Sequence, residues 1–213
     1  MDADEIQTPR LLLKQLHTND EGSQDLDWYH RLWSNELATQ WSYRGACKTK
    51  ADSQQWMAGV LSRNATGNKV KTAFAVLPRT TELQSTAPEA VMGIVTLLSS
   101  TFRLPSEPAA DPEDDGSVVE LGYLFHPDSW GHGYATESLR GFLDAYVRQR
   151  TARRGSTARP FEIRASAHSD NGASIRVLEK LGFEELGRFE HEGRLPLRKE
   201  SSKDVVVHLR LRK

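Results

Sequence analysis

Apolar residues recur along the 213-residue chain at two spacings, and the places where one gives way to the other mark its elements. PRLLLKQL, Pro9 to Leu16, reads as a first strand. DLDWYHRLWSN then sets Leu26, Tyr29, Leu32 and Trp33 three or four residues apart, which predicts a helix. ADSQQWMAGVLSRN predicts a second, capped by Asp52 or Ser53, with Trp56, Met57, Val60 and Leu61 facing inward. ATQWSYRGACKTK between them reads as a loop. TAFAVLP and AVMGIVTLLSS read as strands of a hairpin with a long, turn-rich connection, RTTELQSTAPE. LPSEPAADPEDDG, rich in proline and acid, predicts a mobile surface loop over about 103–117.

The second half alternates more regularly. VVELGYLF is a strand, and after a short turn TESLRGFLDAYVRQR places Leu139, Phe142, Leu143, Tyr146 and Val147 on one helical stripe. PFEIRAS is the next strand. NGASIRVLEKLGF is a helix with Gly182 just past its end, and SKDVVVHLRLRK closes the chain as a strand. The order is a strand, two helices, an antiparallel run, then β-α-β-α-β. It predicts one domain over 1–213, with its core at about 8–210, built on a mixed sheet with helices packed on its faces. The last strand is expected at an exposed edge, where it could pair with a second copy as a homodimer.

Composition narrows the partners. Lys and Arg number 28 against 29 Asp and Glu, a formal net charge of −1, so no overall field recommends nucleic acid or an anionic membrane. No apolar run approaches the ~18–20 residues that span a bilayer. The single cysteine, Cys47, cannot form an internal disulfide, and MDADEIQTPR lacks a basic-then-apolar leader, so a reducing, cytoplasmic setting is expected.

The candidate chemistry centres on HPDSWGHGYATESL, residues 126–139. A helix N-terminus presents unpaired N–H groups and partial positive charge, so a turn feeding a helix can hold phosphate oxygens without a basic side chain. Glycines at Gly131 and Gly133 let the main chain approach such a ligand and adopt the φ values a tight cradle needs; a plain surface turn is the alternative. The dinucleotide fingerprint fails, because Thr136 stands where its third glycine should be and Arg153 and Arg154 where its ribose-binding acid should be. A P-loop fails because no glycine-lysine pair follows.

ELGYLFHPDSWGHGYATESL followed by NGASIRVLEKLGF resembles the acyl-CoA binding core of the GNAT acetyltransferases, in particular the branch with the Rim-type N-terminal acetyltransferases of ribosomal proteins. The strong likeness covers about residues 118–190. The family's turn pattern falls on Trp130, Gly133 and Ala135, with Trp130 in place of the usual Gln or Arg. The resemblance implies an α/β (α+β) GNAT-like fold: a mixed, mostly antiparallel central sheet with helices on both faces. It also implies an enzyme that moves an acetyl group from acetyl-CoA, its co-substrate, to a primary amine by direct attack, with no metal. On that resemblance the backbone of Leu124, Phe125 and His126 would pair with the pantetheine arm. Gly131, His132, Gly133, Tyr134, Ala135 and Thr136 would bind the pyrophosphate. Asn171 would contact the cofactor arm, and Ser174 would lie near the thiol.

The reaction needs a neutral amine, a site for the negative oxygen and a proton for the thiolate. At pH 7 an α-amine of pKa about 7.7–8.0 is roughly one-tenth to one-sixth neutral, and a lysine near 10.4 only about once in 2,500. Glu120 is the base candidate, because it shares a strand face with Gly122 and Leu124, directly or through water; a carboxylate pointing at solvent is the alternative. A backbone N–H near Phe125 would meet the oxyanion. Many members of the family place an acidic tyrosine where Leu178 stands here, which leaves Ser174 as thiol proton donor and keeps open a non-catalytic CoA-binding sensor or interaction module. Trp41, Tyr43 and Arg44 would rim the acceptor site in the family layout, with core packing equally open for Trp41. His126, Asp128 and His132 are more cheaply explained as a polar loop than as metal ligands, and Cys47 as a buried thiol than as a nucleophile. RQRTARRGSTAR, residues 148–159, reads as a basic loop. The acceptor, a peptide N-terminus or small-molecule amine, is left open.

Overall fold

Leu11, Leu12, Leu13 and Gln15 are all buried, because their strand lies inside a sheet covered on both faces. The computed structural model describes residues 4–62, 70–79, 91–100, 117–154, 161–191, 195–196 and 204–212; the acidic stretch and most of the hairpin connection lie outside these. The strands are β1 (Glu5–Gln7), β2 (Leu11–Gln15), β3 (Lys71–Pro78), β4 (Gly93–Ser99), β5 (Val118–Phe125), β6 (Glu162–His168), β7 (Glu184–His191) and β8 (Asp204–Arg212). The helices are α1 (Gln24–Trp33), α2 (Lys50–Met57), α3 (Tyr134–Arg154) and α4 (Gly172–Lys180). The sheet runs β1-β2-β3-β4-β5-β6-β8-β7, and among these pairs only β5 and β6 run parallel.

Period-two burial divides the core. Val119, Leu121 and Phe125 of β5 pack with Ile163 and Ala165 of β6 and Val207, Leu209 and Leu211 of β8 against Leu139, Phe142 and Leu143 of α3 and Leu178 of α4. On the other face, Ala73, Ala75 and Leu77 of β3 and Ile94 of β4 pack against Leu26, Trp28, Tyr29 and Leu32 of α1 and Met57 of α2, with Leu124 against the same cluster. The even-numbered residues of β5, β6 and β8 therefore face the α1 and α2 side. That is the mixed, mostly antiparallel GNAT-like sheet with helices on both faces that the sequence resemblance implied.

Several local readings are corrected. Thr49, rather than Asp52 or Ser53, caps α2: its hydroxyl accepts from Asp52 N–H while the Asp52 carboxylate accepts from Thr49 N–H. Trp56 is exposed, at 37 %, whereas Met57 and Leu61 are fully buried. The residues expected to begin a basic loop continue α3 to Arg154, where positive charge favours the helix C-terminus; residues 155–160 lie outside the described set. The final strand is not an edge, because β8 is paired by β6 on one side and β7 on the other. The edges are β1 and β7, so the argument for a homodimer through an exposed last strand does not hold.

Candidate active site

β5 and β6 pair only from Val118–Glu120 to Glu162–Arg164, and the pairing stops there although β5 continues to Phe125. His126 N–H donates to Met92 O at 2.9 Å and Ser100 N–H to Val118 O at 3.1 Å, which assigns the even-numbered amides and carbonyls of β5 to β4. The odd-numbered ones point the other way, toward β6: the pairing through Glu120 and Arg164 engages Leu121, and beyond it Tyr123 and Phe125 face the gap. Of the three residues expected to pair with a pantetheine arm, Phe125 thus has its N–H in the opening, while Leu124 and the His126 N–H turn to β4 and the His126 carbonyl accepts from Ser129 N–H at 2.9 Å. A backbone edge left unpaired inside a sheet is a place for an extended ligand to add hydrogen bonds.

The opening leads to the glycine turn. Pro127–Ser129 form one turn of 3-10 helix, and Gly131 and Gly133 follow with φ of +79° and +78°. Those left-handed values favour glycine at both positions. A Cβ built on Gly131 would meet nothing within 4 Å, so its conformation, rather than crowding within the protein, requires the glycine. The first bonded amide of α3 is Glu137 N–H, to Gly133 O at 3.1 Å; the amides at the start of the helix have no intrahelical partner. Trp130, the departure from the family pattern, donates its indole N–H to Phe125 O at 2.9 Å and so ties the turn to the end of β5.

An unforeseen clamp holds this turn from the far side of the sheet. Glu137 accepts from Thr8 Oγ1 at 2.7 Å, Arg10 N–H at 2.8 Å and Arg10 Nε at 2.6 Å, and Arg10 Nη1 donates to His132 O at 3.2 Å. The Arg10 guanidinium also lies 4.7 Å from the Tyr134 ring centroid. These bonds outweigh the partial burial of Glu137 and hold its carboxyl below its ordinary pKa. A depressed carboxylate stabilises the fold above its unfolded pKa and loses that contribution as pH falls through its folded pKa. Glu137→Gln is therefore expected to destabilise the protein by on the order of 1 kcal/mol at pH 7, with the deficit fading in acid. Urea midpoints of both proteins at pH 7 and pH 3.5 check this.

Glu120 lies where the parallel pairing ends, on the α1 and α2 side with Gly122 and Leu124. Gly122 has its own packing reason, since a Cβ there would sit 2.6 Å from Thr96 Oγ1. Burial pushes the Glu120 carboxyl above its ordinary pKa, partly offset by a Ser166 Oγ contact at 3.4 Å and by the nearby Arg164 charge. Arg164 is itself buried and pairs with Glu162 at 2.6 Å. Ser166 also meets His208 Nδ1 at 2.9 Å.

Across the gap, Asn171 caps α4. Its Oδ1 accepts from Ser174 N–H at 3.2 Å and its Nδ2 donates to Ser174 Oγ at 3.1 Å, so the two residues carried over from the family pattern are bonded to each other. Tyr123 donates its hydroxyl to Ser174 O at 3.2 Å, and burial raises its pKa to about 12. Leu178 is buried in the core and offers no polar atom.

The loop after α1 divides. Trp41 stacks on His168 at 5.2 Å, and His168 Nε2 meets the buried Asp204 at 3.2 Å while its Nδ1 accepts from Asp170 N–H. That fixes Trp41 over β6 on the face of Glu120. Arg44 instead lies 4.0 Å from the Trp56 ring centroid, against α2. His126 Nδ1 lies 3.2 Å from Asp128, and His132 packs beside Tyr134. Cys47 is buried. A cleft of about 430 Å³, lined by Asp27, His30, Asn35, Lys50 and His126 among others, opens at the His126 end of β5. Among the described residues no helix is long and apolar enough to cross a membrane.

A family model described as "Acetyltransferase (GNAT) domain" matches residues 10–184. The chain belongs to the GNAT acetyltransferase family. Over 71 residues it is 39% identical to "Uncharacterized protein YkkB" of Bacillus subtilis, a match covering 33% of the chain and 36% of that relative, so it spans about a third of the curated protein's length. Solved structures share the fold at low identity. A spermidine N-acetyltransferase from Vibrio cholerae, in complex with CoA and spermine, aligns with a TM-score of 0.61 at 18% identity over 95% of each chain. An acetyltransferase from Salmonella typhimurium that modifies the N-terminal serine of a 50S ribosomal subunit protein aligns at 0.63 and 13% identity over 96% of this chain and 95% of that one.

Within this GNAT chain, sequence reasoning passed over five residues that the fold brings to the site: Thr8, Arg10, Tyr123, Ser166 and His208. Only Tyr123 carried a local signal, lying one residue past Gly122 in the quoted motif. The others meet their partners across 42 to 129 positions of sequence.

Proposed function

We propose that this protein is an N-acetyltransferase that moves an acetyl group from acetyl-CoA to a primary amine, on a peptide N-terminus or a small molecule, by direct attack. The observation that carries the reading is the continuous path from the inner edge of β5 beyond its pairing with β6, at Tyr123 and the Phe125 N–H, to the two left-handed glycines before α3. An extended pantetheine arm fits the first part and a pyrophosphate the second, since one offers alternating amides and carbonyls and the other the helix N-terminus. When bound, acetyl-CoA supplies an activated thioester. The chain's own residues then hold and orient it: the Phe125 N–H stands in the opening for developing negative charge, Glu120 takes a proton from the amine, and Ser174 offers a hydroxyl to the thiol side. The reading as an acetyltransferase also draws on the family, and the amine class on relatives whose named acceptors are amines.

Leu178, apolar and buried where many members of the family carry a tyrosine, is the observation that favours a non-catalytic CoA-binding module instead. Calorimetric titration separates the possibilities. Saturable binding of acetyl-CoA, with none of NADP, is expected; absence of binding would sink both readings. Binding without acetylation of spermidine, aminoglycoside or serine-initiated peptide amines would select the module.

A further inference from the structure

The acceptor face carries a row of polar groups that extends beyond Glu120. Across it, β6 contributes Glu162, Arg164, Ser166 and His168, and β8 contributes Val206, His208, Arg210 and Arg212 by the pairs Ser166 with His208 and Arg164 with Arg210. Ser166 stands at the centre, exposed, 3.4 Å from Glu120 Oε1 and 2.9 Å from His208 Nδ1. A hydroxyl has one proton and can give it to only one of these two neighbours. With Glu120 ionised, the Ser166 proton goes to the carboxylate and the Nδ1 of His208 must carry a proton to complete the row. With Glu120 protonated, the carboxyl proton goes to Ser166 Oγ and the Ser166 proton to a bare Nδ1. The same three groups accommodate both arrangements, and they differ by two short proton shifts.

We infer that Glu120, Ser166 and His208 form a proton relay that carries the acceptor's ammonium proton away from the site. This rests on the acetyltransferase reading above. An N–H bond of the ammonium breaks and its proton goes to Glu120. The carboxyl then gives that proton to Ser166 Oγ as the Ser166 hydroxyl gives its own to His208 Nδ1. Glu120 returns to carboxylate, Ser166 to a hydroxyl, and His208 becomes an imidazolium that loses its proton to solvent. Atoms and charge balance without any further reactant. Glu120 touches the amine and is catalytic; Ser166 and His208 act through it. The chemistry also suits histidine, the side chain whose ordinary pKa lies near neutrality.

Other charges face the relay and set its background. Arg164 is neutralised by Glu162 at 2.6 Å, with Arg210 and Arg212 each 3.9 Å from the same carboxylate. From β7, Glu184 stands opposite Arg210, and Phe189 packs edge-on to the His208 ring at 5.3 Å. From β4, Leu98 stands opposite Glu120, and the loop after α1 brings Trp41 onto His168, whose Nε2 is held by Asp204. A through-space effect of Glu120 on His208 is thus expected whether or not Ser166 connects them, and the test must separate the two.

The test is a cycle of substitutions read by NMR titration of ¹⁵N-labelled histidine in the full chain. Glu120→Gln is expected to lower the His208 titration midpoint by about half a pH unit or more, since an opposite charge is lost. In a Ser166→Ala background the same substitution should shift it much less. A shift that is absent, or equal with and without Ser166, overturns the relay. Circular dichroism confirms that each variant folds, and Ser166→Thr, which keeps the hydroxyl, should retain the coupling. Turnover gives the second arm, with spermidine and a serine-initiated peptide as probe acceptors. His208→Ala should lose activity about tenfold or more near pH 6.5, recover part of it on adding imidazole, and bind acetyl-CoA with unchanged Kd. Unchanged turnover in His208→Ala overturns the relay, whereas failure of wild-type protein to bind acetyl-CoA overturns the acetyltransferase reading on which it rests.

Discussion

Gly133→Glu is expected to weaken acetyl-CoA binding at least ~100-fold, a loss of about 2.7 kcal/mol or more, while leaving the protein folded. The backbone at Gly133 has φ of +78°, so any side chain there costs about 1–2 kcal/mol of conformational strain. Space is not the obstacle, because a Cβ would lie 3.6 Å from Arg10 Nη2, an ordinary contact. Charge is. A carboxylate at the opening of α3 would take the position of favourable potential that the phosphates need, and like charges brought together cost several kcal/mol. It could also draw Arg10 away from Glu137 and His132 O, loosening the clamp that shapes the turn. Gly133→Ala is the control, since it carries the strain without the charge. Calorimetric titration of both variants, with thermal melts to confirm folding, gives the result: alanine binding nearly as weakly as glutamate would mean that the backbone conformation, and not the electrostatics, holds the phosphates.

That the turn was legible and its clamp was not follows from how each is encoded. The strand VVELGYLF, the turn and the helix after it are contiguous, and the glycines, proline and helical stripe within 30 residues state their own geometry. α4 was legible for the same reason, with Gly182 past its end at φ of +87°. β1 is three residues long, too short to show a period. β7 was missed because EELGRFEH is a charged strand at the sheet's edge, its regular alternation interrupted by a register shift between Glu185 and Gly187. Missing β7 in turn produced the mistaken edge position for β8. The cap of α2 went to the wrong residue because Thr49 and Asp52 bond reciprocally and either, read alone, suits an N-terminus.

The site shows the same division. Gly131, Gly133, Asn171, Ser174 and Glu120 each sit inside a local pattern, whereas the partners that define their state do not. Which amides of β5 face the gap is decided by one bond, His126 N–H to Met92 O, and nothing in the sequence states that parity. Ser166 and His208 come together because β6 and β8 pair in one register; a slip by one residue would turn either side chain to the α3 face. Trp130 was visible as a departure from the family pattern, but its bond to Phe125 O depends on the path of the 3-10 turn.

Glu120→Gln separates binding, catalysis and stability, because the same half-buried carboxyl is expected to move each differently. Acetyl-CoA affinity should be unchanged, since the groups assigned to the pantetheine and pyrophosphate are main-chain atoms of β5 and the glycine turn. Turnover should fall by about 10²–10⁴-fold, the range for loss of a positioned general base. The deficit should be largest between the Glu120 pKa and that of the acceptor amine, where wild-type Glu120 is ionised and most of the amine is not yet neutral. It should shrink above the amine's pKa, where no base is needed. Stability should move the opposite way. Burial raises the folded pKa of Glu120 above its unfolded value, so between the two the folded chain binds more protons and stability falls as pH rises. At pH 7 the ionised carboxylate therefore costs stability that a neutral amide does not, and Glu120→Gln should melt higher than wild type there, with the gain vanishing below the unfolded pKa near ~4.3. An unchanged pH profile would remove Glu120 as the base. A variant that melts lower at pH 7 would show instead that Ser166 and Arg164 stabilise the carboxylate by more than its burial costs.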